Sequence, residues 1–418
     1  MQHLDLDFVR QQFPMFQTEL GQKIGFLDNA GGSYVAGAVI DRLTDFYTNY
    51  KVQPYGANPI SNRAGEAMEL GRRTMAELLN VSADLITLGA SSTQCFNTLS
   101  IACTPLVAKG RSAAAGEVIV SEQDHESNIG GWERLCQQQG ATLKIWPVDP
   151  ESGELALEDL EKLLSNKTAI VAVTHSSNII GTINPINEIA ALVHGVNAKL
   201  VVDGVSYAPH AWPNLDVLDA DAYVFSTYKT YGTHLGVMVV REDFLQELAP
   251  QCHFFNMPYP NKRLDSAGPD HAAIAALAGI GDYFAALHDH HFAGKKGLPL
   301  HRKARAVAAL MNQHENELCA YLLENLNDLP VRIFGRKTIE QREANIALSS
   351  PKISSKALAD GLAEYDIAAK NGHFYAYRLL QAMGVADMND GVLRISLSHY
   401  NSLEEVERCV AGLRAMLG

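Results

Sequence analysis

Lys229 stands in the stretch Tyr223-Val-Phe-Ser-Thr-Tyr-Lys-Thr-Tyr-Gly232, downstream of Asp203, which closes the apolar run Leu200-Val-Val-Asp203. A lysine at the mouth of a parallel sheet can form a Schiff base with an aldehyde. A carboxylate at the end of the neighbouring strand can keep a pyridine nitrogen protonated. Each alone has a plainer reading: a lysine among aromatics is usually solvated, and an aspartate after an apolar run often caps a helix. Together they fit pyridoxal 5′-phosphate, an electron sink for carbanions that a protein binds and orients.

Further blocks stand in an order that suits the same cofactor. Leu88-Gly-Ala-Ser-Ser-Thr-Gln-Cys-Phe-Asn97 follows an apolar run and opens a helix-like stretch. Its small and hydroxyl residues would offer backbone N–H groups to a phosphate at a helix N-terminus. His125 comes just after the run Glu117-Val-Ile-Val120, where an imidazole can lie flat on a cofactor ring. Asn178 follows a third run, Ala169–Thr174, and Arg394 sits inside Val392–Ser396, where a guanidinium is costly to bury without an anion. The His288-Asp-His-His291 cluster is read as a polar turn and not as a metal site, since no carboxylate or thiolate motif accompanies it. Ala30-Gly-Gly-Ser33 does not match the dinucleotide fingerprint.

The order and wording of these blocks resemble the class V aminotransferase group of fold type I pyridoxal phosphate enzymes, and within it the cysteine desulfurases and selenocysteine lyases. The resemblance runs from Phe26-Leu-Asp-Asn-Ala30, like the group's opening strand, to Val392-Leu-Arg-Ile-Ser-Leu-Ser-His-Tyr-Asn401, like its carboxylate-binding strand. It implies a role for each residue. Lys229 holds the cofactor and then serves as base and acid at the substrate α-carbon. Asp203 pairs with the pyridine nitrogen, and His125 stacks on the ring. Ser92, Thr93, Ser226 and Tyr228 hold the phosphate, while Asn178 and Arg394 bind the substrate α-carboxylate, the arginine as a bidentate fork. Family members are dimers, and the stretch Leu264-Asp-Ser-Ala-Gly-Pro-Asp-His-Ala-Ala273 is similar to the one that reaches the partner's phosphate.

Departures from the pattern are as informative. Desulfurases of this kind take sulfur on a loop cysteine shortly after a Gly-His pair; here Lys370-Asn-Gly-His-Phe-Tyr-Ala-Tyr-Arg378 puts Tyr375 there, in the substrate pocket. No cysteine lies between Cys319 and Cys409. Tyr228 replaces a histidine, Ser206 replaces a glutamine that contacts the ring hydroxyl, and the Leu264–Ala273 segment lacks the usual threonine, which leaves the Gly268 backbone as its donor. The expectation is therefore an amino-acid lyase that cleaves C–S or C–Se by elimination without a loop persulfide. Alternatives are a class V epimerase or aminotransferase, and, in another class, a non-catalytic protein that binds pyridoxal phosphate.

These residues need a sheet to position them. Short β-rich runs at 85–88, 117–120, 142–146, 169–174, 200–203, 222–225 and 235–240 alternate with helical stretches, the pattern of a mainly parallel seven-stranded α/β sheet. Ligands of such sheets sit beyond the carboxyl ends of the strands. A composition shift near 285–303 marks the passage to a smaller α/β domain with strands near 331–334, 344–348 and 392–396. The expected organisation is residues 1–20 packing with the small domain, 21–285 as the large cofactor-binding domain and 286–418 as the small one. Among 418 residues, 47% hydrophobic content supplies a sizeable core, and the net charge of −13 disfavours nucleic-acid partners. The N-terminus shows no signal peptide, no run approaches a membrane span, and six scattered cysteines read as reduced cytoplasmic thiols.

Overall fold

A computed structural model describes residues 3–109, 116–294 and 297–418. Among these residues the strands are, in chain order, β1 (Gly25–Phe26), β2 (Ile86–Gly89), β3 (Glu117–Ser121), β4 (Thr142–Trp146), β5 (Thr168–Thr174), β6 (Lys199–Asp203) and β7 (Ala222–Ser226). They continue with β8 (Gly236–Val240), β9 (Arg332–Phe334), β10 (Asn345–Ser349), β11 (Ile367–Ala368), β12 (Lys370–Gly372) and β13 (Val392–Ser396). A 7-stranded sheet runs β2-β8-β7-β6-β5-β3-β4, with every pair parallel except those that β8 makes with β2 and β7.

Period-two alternation builds the layers on either side of this sheet. Ile119, Val171, Val173, Leu200, Val202, Tyr223, Phe225 and Val237 point into one core with the helices Gly37–Asn49, Pro59–Leu79 and Ala278–His291. Val118, Val120, Ile170, Ala172, Val201, Val224 and Met238 point into the other, against Ser92–Ala102 and Gly130–Gln139. Each fully buried aliphatic side chain contributes about 1.5–3 kcal/mol, so the strands that carry the site residues are held by packing on both faces.

The smaller sheet, β12-β13-β10-β9, is antiparallel and packs on its own core with the helices Ser355–Ala363 and Leu403–Leu417. Two expectations, the place where the core changes and the opening strand, are corrected. The helix Leu300–Leu326 feeds Ala304, Val307 and Met311 to the large core but Leu318, Leu322 and Leu326 to the small one. The change of core therefore falls inside that helix, later than residue 285. The N-terminal segment gives Val9, Phe13 and Phe16 to the large core and also meets residues after 286, through Arg10 with Glu405 at 2.6 Å and the rings of Phe13 and Phe16 against Tyr400. The opening strand is only β1, paired with β11, and residues Asn29–Gly31 form a 3₁₀ turn instead.

The histidine cluster ends a helix and is no turn. His290 Nε2 lies 2.9 Å from Asp5 Oδ2, and His291 Nε2 accepts the Asp5 amide at 2.9 Å, so the cluster pins the N-terminal helix. Among the described residues no helix is long and apolar enough to cross a membrane.

Candidate active site

The site residues gather at the carboxyl ends of β5, β6 and β7. Asp203 is the last residue of β6, and its neighbour in register on β7 is Val224. Gly204 follows because the ring of Tyr223 occupies the space that a Cβ there would need. Lys229 ends a 3₁₀ turn, Thr227–Lys229, directly after β7. The Ser33 amide donates to Tyr228 O at 3.1 Å and the Tyr231 amide to Ser33 Oγ at 3.0 Å, so the loop after β1 clasps the lysine turn.

Burial sets the electrostatics here. Lys229 is 7% exposed, and burial, helped by the Arg394 guanidinium, lowers its amine to about 8 against the pull of Asp203 and Asp28. Asp203 is 3% exposed and is raised to about 6 by burial, although Val205 N–H donates to its Oδ1 at 2.9 Å and Lys229 opposes the rise. A lysine so lowered is partly neutral near neutral pH, as a nucleophile must be. Ser206 lies beside Lys229, lining a narrow cavity with Ser33, His210 and Asn345.

The helix Ser92–Ala102 starts at the sheet edge, with Ser91 Oγ accepting the Gln94 amide at 3.1 Å as its N-cap. Gly236 of β8 packs against the backbone of Ser91 and Ser92 where any side chain would intrude, which brings the helix N-terminus down onto the strand ends. Ser226 Oγ donates to Ser92 Oγ at 2.9 Å, and Thr93 is exposed beside it. The Tyr228 ring stacks on His234, with centroids 4.6 Å apart, and His234 Nδ1 lies 3.1 Å from Ala90 O, so this imidazole joins the hydroxyl-lined cup at the helix N-terminus from a position the sequence did not mark.

His125 is half-buried, and its Nδ1 accepts the Ser127 amide at 3.1 Å. Burial, then Lys229 and Arg394, lower it to about 3, which keeps it a neutral ring. Asp124 beside it is buried and raised to about 8, mainly by burial, while hydrogen-bonded to Ser121 and Asn128. It anchors the His125 turn, a role hidden in sequence by the mere polarity of the stretch.

Across from the cup, Arg394 lies in the middle of β13 and is 2% exposed. Asn178 Nδ2 donates to Phe374 O at 2.9 Å, and Arg394 Nη1 to Asn178 O at 3.3 Å. Tyr375 is 65% exposed, with its ring 5.2 Å from that of His125. The Glu126 amide donates to Tyr375 O at 2.8 Å, and Arg378 pairs with Glu126 and Glu133, so the loop after β12 is docked on the His125 turn. Gly268 is not part of this gathering: it is exposed at φ +70°, while in its segment Ser266 Oγ accepts from Gln94 Nε2 at 3.3 Å and Leu264 packs in one core with Cys95 and Phe96. The cysteines stand apart from the loop. Cys95, Cys103, Cys136, Cys319 and Cys409 are buried, and burial raises every one of their thiols.

Pyridoxal phosphate fits these residues: a buried, partly neutral amine at one strand end, a carboxylate with an uncommitted oxygen at the next, and a hydroxyl pair at a helix N-terminus. The sequence profile of Aminotransferase class-V matches residues 25–254 and 302–409. The chain is 32% identical to the Aminotransferase-like protein FGM3 of Gibberella zeae over 427 residues, 99% of this chain and 98% of that one. It is 31% identical to a Cysteine desulfurase of Dickeya dadantii over 432 residues, 99% and 97% of the two chains. Its fold, that of fold type I enzymes, is shared with the apo structure of a cysteine desulfurase from Thermococcus onnurineus NA1, at a TM-score of 0.85 and 22% identity over 100% of this chain and 99% of that one. The chain therefore belongs to the class V aminotransferase family, as a cysteine desulfurase-like, pyridoxal phosphate-dependent enzyme.

Proposed function

We propose that this enzyme is a lyase that releases sulfide or selenide from an amino acid by elimination, with no persulfide on its active-site loop. The observation that carries the reading is Tyr375: it occupies the loop after Gly372-His373, exposed and beside His125, while five of the six cysteines are buried with raised thiols. A phenol has no sulfur with which to accept sulfur, and a raised, buried thiol is a poor nucleophile.

Bound pyridoxal phosphate supplies an electron sink for the carbanion formed at Cα. The chain's own residues do the rest. Lys229 Nζ, lowered to about 8, removes the α-proton and can return it. Asp203 would keep the cofactor nitrogen charged, and the neutral His125 would cover the ring. Ser92, Ser226, Thr93 and Tyr228 would hold the phosphate, and Ser206, which lines the cavity beside Lys229, would be available to the ring hydroxyl. Asn178 and Arg394 orient the substrate by its α-carboxylate, which fixes the bond that breaks. Loss of the proton and of the Cβ–S bond, followed by hydrolysis, converts cysteine and water to pyruvate, ammonia and sulfide.

The same proton abstraction would serve an aminotransferase or an epimerase, and the likeness to the Aminotransferase-like protein FGM3 favours the first of these as a second reading. A homodimer is also part of the proposal. Exposed Phe254, Phe255, Met257 and Tyr259 form an apolar stretch next to the Gly268 segment, whose backbone would then meet the partner's phosphate. Six free thiols suit a reducing compartment such as the cytoplasm.

Product analysis tests the central reading. With L-cysteine or L-selenocysteine the holoenzyme is expected to give pyruvate and sulfide, or selenide, in equal amounts. Alanine with protein-bound persulfide would replace elimination by desulfuration, and a keto acid or inverted substrate with no sulfide would favour the second reading.

A further inference from the structure

Arg394 already has a carboxylate partner. Its Nη2 donates to Asp28 Oδ1 at 2.9 Å, its Nη1 to Asn178 O at 3.3 Å, and its Nε is buried with no partner. The Phe374 ring lies 3.8 Å from the guanidinium carbon and closes one face of it. The second residue assigned to the substrate carboxylate is engaged too, since Asn178 Nδ2 donates to Phe374 O. Burial opposes the charge on Arg394, and Asp28 is the strongest influence in its favour.

An arriving α-carboxylate would place a second anion beside Asp28 on one buried guanidinium. Like charges sharing such a site repel, so both cannot be held at full strength. Asp28 is able to yield. Its side chain is 19% exposed where that of Arg394 is 3% exposed, so it keeps contact with water if it lets go. Phe374 is held over the guanidinium at a cost, for it and Tyr375 sit at φ +47° and +60°, a region that non-glycine residues rarely occupy.

We propose that Asp28 is a positioning residue that competes with the substrate α-carboxylate for Arg394, with Phe374 as the cover displaced in the exchange. The idea rests on the reading of Arg394 as the carboxylate ligand. Asp28 holds the guanidinium in place before substrate arrives and lowers the affinity for any amino acid that must displace it. Simple amines escape this competition, because they bring no carboxylate.

Two probes separate these cases. L-Alanine carries the α-carboxylate without a leaving group, and ethylamine lacks the carboxylate. Both are titrated into the holoenzyme while the cofactor's visible absorbance is followed. Asp28→Asn is expected to tighten L-alanine binding by about tenfold, the scale of one charge-assisted hydrogen bond, and to leave ethylamine unchanged. Unchanged or weaker alanine binding in folded Asp28→Asn overturns the proposal, as does equal tightening of both probes. If that variant does not fold, a crystal of the wild-type holoenzyme with L-alanine decides: Arg394 on the ligand and released from Asp28 is expected, whereas an intact Asp28–Arg394 pair overturns it. Arg394→Lys distinguishes the two levels of the argument. Wild-type alanine affinity in that variant removes the underlying reading of Arg394; weakened affinity there, with no tightening in Asp28→Asn, removes only the role of Asp28.

Discussion

Ser226 Oγ lies 2.9 Å from Ser92 Oγ, which ties the end of a core strand to the first residue of the helix whose N-terminus is proposed to hold the phosphate. Both residues are buried, and 134 positions separate them in sequence. The two hydroxyls are thus held together at the helix N-terminus, and Ser226, whose O–H is given to Ser92, would have to turn it to donate to a phosphate.

Replacing either serine should weaken the cofactor more than the fold. Ser226→Ala and Ser92→Ala are each expected to raise the dissociation constant of pyridoxal phosphate for the apo-protein about tenfold, the value of one hydrogen bond to a charged group. Because the two side chains touch, the double variant should cost less than the combined single effects. Titration of absorbance checks this, and single variants that bind as tightly as the parent would place the phosphate elsewhere.

Lys229 should react with the cofactor as an amine of lowered basicity. Burial first, and Arg394 second, bring it to about 8, so its neutral fraction rises as pH rises through that value. The rate at which apo-protein takes up pyridoxal phosphate should climb with pH and level off above about 8, well short of ordinary lysine behaviour. Borohydride should then bleach the visible band and leave the adduct on Lys229, and Lys229→Ala should give no such band. A rate still climbing at the ordinary lysine value, or an adduct on another lysine, would contradict the burial argument.

Glu343 carries a pH dependence of a different kind. It is 0% exposed, both carboxylate oxygens are buried without a partner, and burial pushes it up to about 8 despite the opposing His210. Because the folded value lies above the unfolded one, the contribution of Glu343 to stability is whole below the ordinary carboxyl range and is lost as pH rises towards about 8. A neutral glutamine avoids that loss. Glu343→Gln should therefore match the wild-type melting temperature near pH 5 and exceed it increasingly towards pH 8, by several kcal/mol of relative stability, on the order of 3. A difference between the two proteins that stays flat with pH would show that Glu343 is ionised in the fold.

The strands and their ends were legible because short β-branched runs are punctuated by polar residues, and a polar residue at the end of such a run has few roles. Asp203, Lys229 and the Ser92 turn could be read in this way. Asp28 could not: its partner Arg394 is 366 positions away, and nothing local in Phe26-Leu-Asp-Asn-Ala30 marks which arginine it meets. Glu343 was hidden for the opposite reason, since Gln341-Arg-Glu-Ala-Asn345 has the composition of a solvated stretch, yet every residue from Arg342 to Asn345 is buried. The helix Leu300–Leu326 shows the limit of periodicity, which identifies an apolar stripe but not that its two halves face different cores.

The functional name turns on Tyr375. Its ring lies 5.2 Å from that of His125, and its backbone oxygen accepts the Glu126 amide at 2.8 Å, so the loop's docking depends on its main chain and not on its phenol. If sulfur leaves by elimination, the hydroxyl has no covalent task, and Tyr375→Phe should keep the rate of sulfide release from L-cysteine within a factor of about three, a change below roughly 1 kcal/mol. Tyr375→Cys separates the two chemistries more sharply, because it puts a thiol at the desulfurase position on an exposed loop. The wild type should show no persulfide after turnover, alkylation and peptide mapping, whereas Tyr375→Cys should show one at residue 375 and begin to yield alanine beside pyruvate. A persulfide mapped in the wild type to Cys252, the one cysteine that is not buried, or to any of the buried five, and passed to an added acceptor, would return the enzyme to the desulfurases.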